Sequence, residues 1–245
     1  MKTILTNIIT FTIVLFLFGS IISIKEASAA ETNLDILYEN AKNGISDLDD
    51  NQMQEILENV EVQLTNKNPE NNVLNVSETP RVQTYSTAEI IESNGDTQLI
   101  SFTTFSDVSL NDNSNWNGSL YDSTGSVRAY ATLIIEARVV NNVNGLRLLG
   151  TSGGWTIVDD HVKSITNRYV GIGNGGYGAD GRFINESWGP YLLTSNTFNR
   201  TVNGSFIVTA HEYQIVTTTN ATLSTASTSW DMQMVLRFGE PASEL

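Results

Sequence analysis

From about Thr84 onward, hydrophobic and polar side chains alternate one by one along the chain. In "VRAYATLIIEARVV", residues 127–140, Ala129, Ala131, Leu133, Ile135, Ala137 and Val139 share one side. Arg128, Tyr130, Thr132, Glu136 and Arg138 share the other, with Ile134 as the exception. A period of two is that of a half-buried strand. "WDMQMVLRF", 230–238, repeats it, with Trp230, Met232, Met234, Leu236 and Phe238 inward and Asp231, Gln233 and Arg237 outward. In "SFIVTAHEYQIV" the phase runs through Phe206, Val208 and Ala210 and resumes at Tyr213 and Ile215, a slip that predicts a bulge. Three Asn-Gly pairs (Asn94-Gly95, Asn144-Gly145 and Asn203-Gly204) fall between such runs. Each is a hairpin signal, because a type I′ turn needs two positive φ angles. The pattern predicts an all-β domain over 82–240, an antiparallel sandwich or open barrel with hairpins, and a short tail, 241–245.

Residues 31–65 carry a helical spacing instead. Leu34, Leu37, Tyr38 and Ala41 form one stripe, stopped by Asn43-Gly44. Met53, Ile56, Leu57, Val60 and Leu64 form a second, with Asp49 or Asp50 placed to cap it. Residues 66–81 are polar, hold two of the four prolines and read as a linker. Charge follows the same division: eleven Asp/Glu against two Lys/Arg over 31–80, and fifteen against nine over 81–245. The expectation is a short α-helical acidic arm over 30–65, a pro-segment or docking element, tethered to the β-domain.

The amino end predicts export. Lys2, an apolar run from about Ile8 to Ile24 and the small-residue pattern Ala27-Ser28-Ala29 read as a signal peptide over 1–29. No later stretch is apolar enough to span a bilayer, so no integral membrane segment is expected after its removal. The chain has no cysteine, so it has neither disulfides nor a thiol for lipid attachment. Loss of Lys2, Lys25 and Glu26 with the leader takes the net charge from −14 to −15. Such acidity argues against nucleic acid or anionic lipid as a partner. The expected location is extracellular.

Four motif matches in three stretches suggest chemistry, and each lacks the context that chemistry needs. "GIGNGGYGADGRF", 171–183, contains G-x-G-x-x-G, but no helix pattern follows to face a pyrophosphate. From Gly175 to Asp180 it also fits one calcium β-roll repeat, a design that needs tandem copies. It reads as a wide Gly-rich loop rimmed by Tyr169, Tyr177, Phe183, Trp188 and Tyr191, a candidate contact surface. "GTSGGW", 150–155, matches G-x-S-x-G around Ser152, but both histidines, His161 and His211, follow it and the next residues read as a strand, not an elbow helix. Asp47, Asp49, Asn51 and Glu58 have EF-hand spacing, with Gln52 where the turn demands glycine. Two histidines fifty residues apart make a poor zinc set. His211 is expected on the outer side of its strand, and Glu136 beside Arg138 reads as a surface ion pair. Six Asn-x-Ser/Thr sequons match the number expected by chance from so much Asn, Ser and Thr and carry no glycosylation signal.

No catalytic residue, metal ligand or cofactor is assigned. The function expected is that of a secreted, non-enzymatic β-domain protein that binds an extracellular ligand or surface through aromatic and Gly-rich loops. The first alternative is a β-pore-forming toxin: "TTTNATLSTASTS", 217–229, with "NRTVNGSFIV", resembles in composition the amphipathic hairpins of aerolysin-like toxins. Ala221, Leu223 and Ala226 break phase there, unlike the steady alternation of a barrel strand. A hydrolase is the third reading.

Overall fold

The structure is a computed structural model that describes residues 34–49, 53, 60–67, 80–110, 126–140 and 142–239. The signal-peptide segment, most of the linker and the tail lie outside them, as do Asn51 and Glu58 of the EF-hand-like spacing. The chain divides into two units, Met1–Ile36 and Leu37–Leu245, and the second holds the whole β-architecture.

Among the described residues eleven strands form two antiparallel sheets, an all-β sandwich with one short helix near the amino end, as the alternation predicts. The strands are β1 (Val60–Asn66), β2 (Arg81–Asn94), β3 (Thr97–Ser109), β4 (Val127–Val140), β5 (Val143–Ile157), β6 (Ser164–Tyr177), β7 (Phe183–Leu192), β8 (Thr197–Thr201), β9 (Ile207–Val208), β10 (Gln214–Ser224) and β11 (Ser229–Phe238). The five-stranded sheet has the order β1-β11-β10-β6-β7. The six-stranded sheet has the order β2-β3-β4-β5-β8, with β9 beside β5. The core between them contains Ala129, Ala131, Leu133 and Ile135 of β4 and Trp230, Met232, Met234 and Leu236 of β11, with Phe238 packed against it. These are the inward sets expected from the sequence, except at the end of β4, where Ala137 is only partly buried and Val139 is 42% exposed.

Turn positions differ from two of the three Asn-Gly expectations. Gly95, at φ 59°, opens a two-residue loop with Asn94 still paired to Thr97, so this hairpin stands. The β4–β5 hairpin instead turns at Asn142, φ 63°, and Asn144-Gly145 lies inside β5. Asn203-Gly204 belongs to the β8–β9 connection, where the Gly204 N–H donates to the Leu148 carbonyl. The phase slip after Ala210 is a change of sheet rather than a bulge: β9 pairs with β5 and β10 with β6.

The second predicted helix is corrected over residues 60–66. Val60, Val62 and Leu64 point inward from β1, which pairs with β11 from Val60↔Leu236 to Asn66↔Trp230. Period two and the i, i+4 spacing both fit Val60 and Leu64, and the neighbouring strand decides between them. The β-architecture therefore begins before Arg81.

The first helix, α1 (Leu34–Lys42), forms as expected, burying Leu37, Tyr38 and Ala41. It ends in a Schellman arrangement: Gly44, at φ 66°, donates to the Ala41 carbonyl and Ile45 to the Asn40 carbonyl. Tyr38 lies against the outer side of the six-stranded sheet. Its hydroxyl donates to Asp107 Oδ2, its ring meets Phe105 edge-on at 5.3 Å, and the Arg128 guanidinium sits 3.3 Å from its centroid. The chain then covers the β2 edge: the Asp47 N–H donates to the Ala88 carbonyl, Thr87 Oγ1 to the Ile45 carbonyl and the Ile90 N–H to Asp47 Oδ2. An edge masked in this way cannot template pairing with another chain. Met53 then enters the core.

Candidate functional site

"GIGNGGY" is the second half of β6, not a wide loop. Only Gly178–Arg182 turns. There Asp180 Oδ1 accepts from the Arg182 N–H at 3.1 Å and Gly181 takes φ 77°, so the aspartate of the β-roll match caps a hairpin. The strand was hidden because its outward positions have no side chains. Val170, Ile172, Asn174 and Gly176 face inward, while Tyr169, Gly171, Gly173, Gly175 and Tyr177 face outward. No helix follows, so the phosphate-cradle geometry is not built.

The outward glycines form a trough. Gly171, Gly173 and Gly175 register with Thr218, Val216 and Gln214 on β10, and Gly173 and Gly175 with Ser187 and Asn185 on β7. A Cβ on Gly171 would meet nothing within 4 Å, and on Gly175 only the Ile184 carbonyl oxygen at 3.7 Å. Gly173 is tighter, since the Val216 Cγ1 methyl lies at 2.8 Å from that position. Neither crowding nor a positive φ requires glycine at 171 or 175.

Aromatic side chains close both ends. At one end Tyr177 meets Phe183 edge-on at 5.3 Å and His211 at 5.5 Å, and Phe183 is 55% exposed. At the other, Tyr169 pairs with Leu192, which is 81% exposed. Eight residues of strand separate the two tyrosines, about 26 Å at roughly 3.3 Å per residue. The five aromatic candidates divide here. Tyr169, Tyr177 and Phe183 share the outer face. Trp188 and Tyr191 register with Ile172 and Val170, turn inward and pack against the core, with the Arg200 guanidinium 4.8 Å from the Tyr191 centroid.

The lining is uncharged and mostly polar. Gln214, Val216, Thr218 and Asn220 of β10 and Phe183, Asn185, Ser187 and Leu192 of β7 face the same way as the glycines. None of them is charged, in a chain of net charge −14. Asn220, opposite Tyr169, is only 8% exposed. Its Oδ1 accepts from Gln233 Nε2 at 3.1 Å on the β11 side, and its Nδ2 has no partner. Leaving a buried donor unsatisfied costs about 1–3 kcal/mol.

The other sequence candidates fall elsewhere. Ser152 stands mid-strand in β5, between Thr132 and Asn199, with no elbow after it. Gly153 beside it lets Phe198 approach, since a Cβ there would sit 2.5 Å from the ring. His161 lies in the β5–β6 turn, where its N–H donates to Asp159 Oδ1. His211 is exposed in the turn between β9 and β10 rather than on a strand. Glu136 pairs with Arg138 at 3.3 Å, as expected, and with Arg147 at 2.7 Å. Residues 217–224 of the Ser/Thr-rich stretch belong to β10, which is paired on both sides. Among the described residues no group of three His, Asp or Glu is placed to hold a metal.

One polar cluster escaped the sequence reading. Glu186, on the inner side of β7, accepts from the Ser205 N–H at 2.8 Å, Ser205 Oγ at 2.6 Å and Asn174 Nδ2 at 2.7 Å. Burial alone would raise its pKa, but the bonds from Ser205 and Asn174 outweigh burial and hold the carboxyl below its ordinary value. The cluster fastens the β8–β9 connection to the five-stranded sheet. Its only sequence trace is a polar residue, Asn174, in the apolar phase of β6.

No family model, curated protein or solved structure matches the chain.

Proposed function

We propose that the protein is a secreted, non-enzymatic binding protein that contacts an extracellular ligand or surface through the outer face of β6, β7 and β10. The outward glycine stripe carries the reading. Glycine in a strand interior destabilises by roughly 0.5–1 kcal/mol relative to alanine. Gly171 and Gly175 incur that cost where neither packing nor φ asks for it. A glycine in a strand often marks a place where another molecule approaches closely. Here the approach would be flanked by exposed aromatic rings, which gain most from being covered. This shifts the contact from the Gly-rich loop expected from the sequence to a strand face, and it keeps Tyr169, Tyr177 and Phe183 while releasing Trp188 and Tyr191.

The test is retention of the full chain on intact bacterial envelopes and eukaryotic cells. Gly171→Trp fills the open part of the trough and is expected to lower retention at least tenfold with unchanged thermal unfolding. Equal retention of wild type and variant would remove this face from the account.

A further inference from the structure

We infer that the occupant of the trough is a neutral polysaccharide chain; the inference rests on the binding reading above and adds the chemistry of the ligand. Three observations select it. The strands that line the glycine row place no charged side chain between the two aromatic ends; Arg237, registered with Val216 on the same face, is paired with Glu61 at 3.5 Å, and Arg182 beside Phe183 with Asp180 at 3.5 Å, so neither a cationic nor an anionic polymer finds an unpaired counter-charge there. The available groups are the amides of Asn185 and Gln214 and the hydroxyls of Ser187 and Thr218, which both donate and accept. Such groups match a ligand that presents many hydroxyls. The ends are aromatic, and the C–H face of a pyranose ring packs flat on an aromatic ring while its hydroxyls stay directed sideways.

The geometry also argues against a peptide. An extended peptide gains affinity by adding its backbone to a sheet edge. Here the glycine row lies on β6, which already pairs with β7 on one side and β10 on the other, so a peptide over the row meets side chains alone; among the described residues the sheet's edge is β7, to the side of the row. The separation of Tyr169 from Tyr177 by eight strand residues, about 26 Å, is too great for one sugar, so both ends are touched only by a chain of several. The trough is narrowest at Gly173, where Val216 leans in. It is most open at Gly171, where a Cβ would meet nothing within 4 Å, beside Tyr169 and the Thr218 hydroxyl.

The experiment uses the full chain and isolated bacterial envelopes in three states: untreated, oxidised with periodate to cleave sugar diols, and digested with protease. Cellulose, chitin and a β-1,3-glucan serve as defined neutral polysaccharides. The expected result is retention on at least one of these solids and on protease-treated envelopes, and loss of at least tenfold after periodate. Tyr177→Ala with Phe183→Ala is expected to lower retention on the same solids at least tenfold, and Gly171→Trp to do likewise, with cooperative unfolding preserved. Retention that survives periodate but not protease would overturn the polysaccharide while leaving the binding reading in place. Retention that both variants leave untouched would overturn the site. No retention on any solid would overturn both.

Discussion

The two outer faces of the sandwich are treated in opposite ways. On the six-stranded sheet the outward side of β3 is closed: Phe105 is 0% and Asp107 6% exposed, under Tyr38 of α1. Tyr85, also on that side, meets Tyr38 edge-on at 6.0 Å, and Phe105 stacks on Tyr130. On the five-stranded sheet, Tyr169, Tyr177, Phe183 and Leu192 are left exposed around a row of glycines. The first face is a small second core, with rings, a guanidinium and a carboxylate satisfying one another. The second has rings at its ends and, between them, a row of glycines flanked by Asn185, Ser187, Gln214, Val216 and Thr218. Among the described residues the one helix covers the six-stranded sheet and no element covers the outer face of β6, β7 and β10, which is why that face reads as a surface kept for another molecule.

The largest effect should come from removing the cover. A chain beginning at Arg81 loses α1, the strap over β2, Met53 and β1. It leaves the β11 edge and the Phe105 cluster bare, and it is expected to lose near-ultraviolet circular dichroism and cooperative unfolding. A truncated chain that melts sharply would show that residues 30–80 are dispensable. Next, Tyr38→Ala is expected to cost about 3–5 kcal/mol, as for other large buried rings. Tyr38→Phe should cost about 1.5–3 kcal/mol through loss of the bond to Asp107. Urea unfolding midpoints separate the two. Burial first, then the Asp107 bond, raises the Tyr38 pKa. Its stabilising share is therefore complete below the ordinary value of 10.0 and is lost as the pH climbs through the raised one.

Much of this comparison could be read from the sequence, and part could not. Strands β4 and β11 were legible because each second residue is large and apolar, so alternation and burial coincide. The α1 stripe and its Asn43-Gly44 stop were legible for the same local reason. Strand β6 was not, because glycine has no side chain to alternate and Asn174 interrupts the inward row to serve Glu186. β1 was misread because Val60 and Leu64 satisfy both periods and follow Met53. Tyr38 and Asp107 are 69 residues apart, and nothing local ties them together. The trough inherits the difficulty of β6: its rings are visible in the sequence, but whether a ring faces out or in depends on register and bulge. That is why Trp188 and Tyr191 were grouped with the other three.

A smaller effect belongs to the Glu186 cluster, which holds the inner side of the bare sheet. Glu186→Gln is expected to destabilise by about 1–3 kcal/mol at neutral pH, since one amide cannot accept all three bonds. The wild-type carboxyl is depressed, so its contribution is complete above the ordinary value of 4.5 and disappears as the pH falls through the folded value. The gap between wild type and variant should therefore narrow below pH 4.5, which chemical unfolding across pH measures. A constant gap would mean that the charge does not contribute. The smallest change in stability is expected on the bare face itself: Tyr177→Ala with Phe183→Ala should stay within about 1 kcal/mol, as two exposed substitutions usually do.

The central claim is that the outer face of β6, β7 and β10 meets the ligand while the opposite outer face does not. Hydroxyl-radical footprinting of the full chain, alone and bound to bacterial envelopes, tests it most directly. The account predicts that labelling of Tyr169, Tyr177 and Phe183 falls on binding, while labelling of Tyr38, Tyr85 and Tyr130 stays the same. Unchanged labelling of the first three, with protection or exposure of the second three, would contradict it and move the contact to the face under α1.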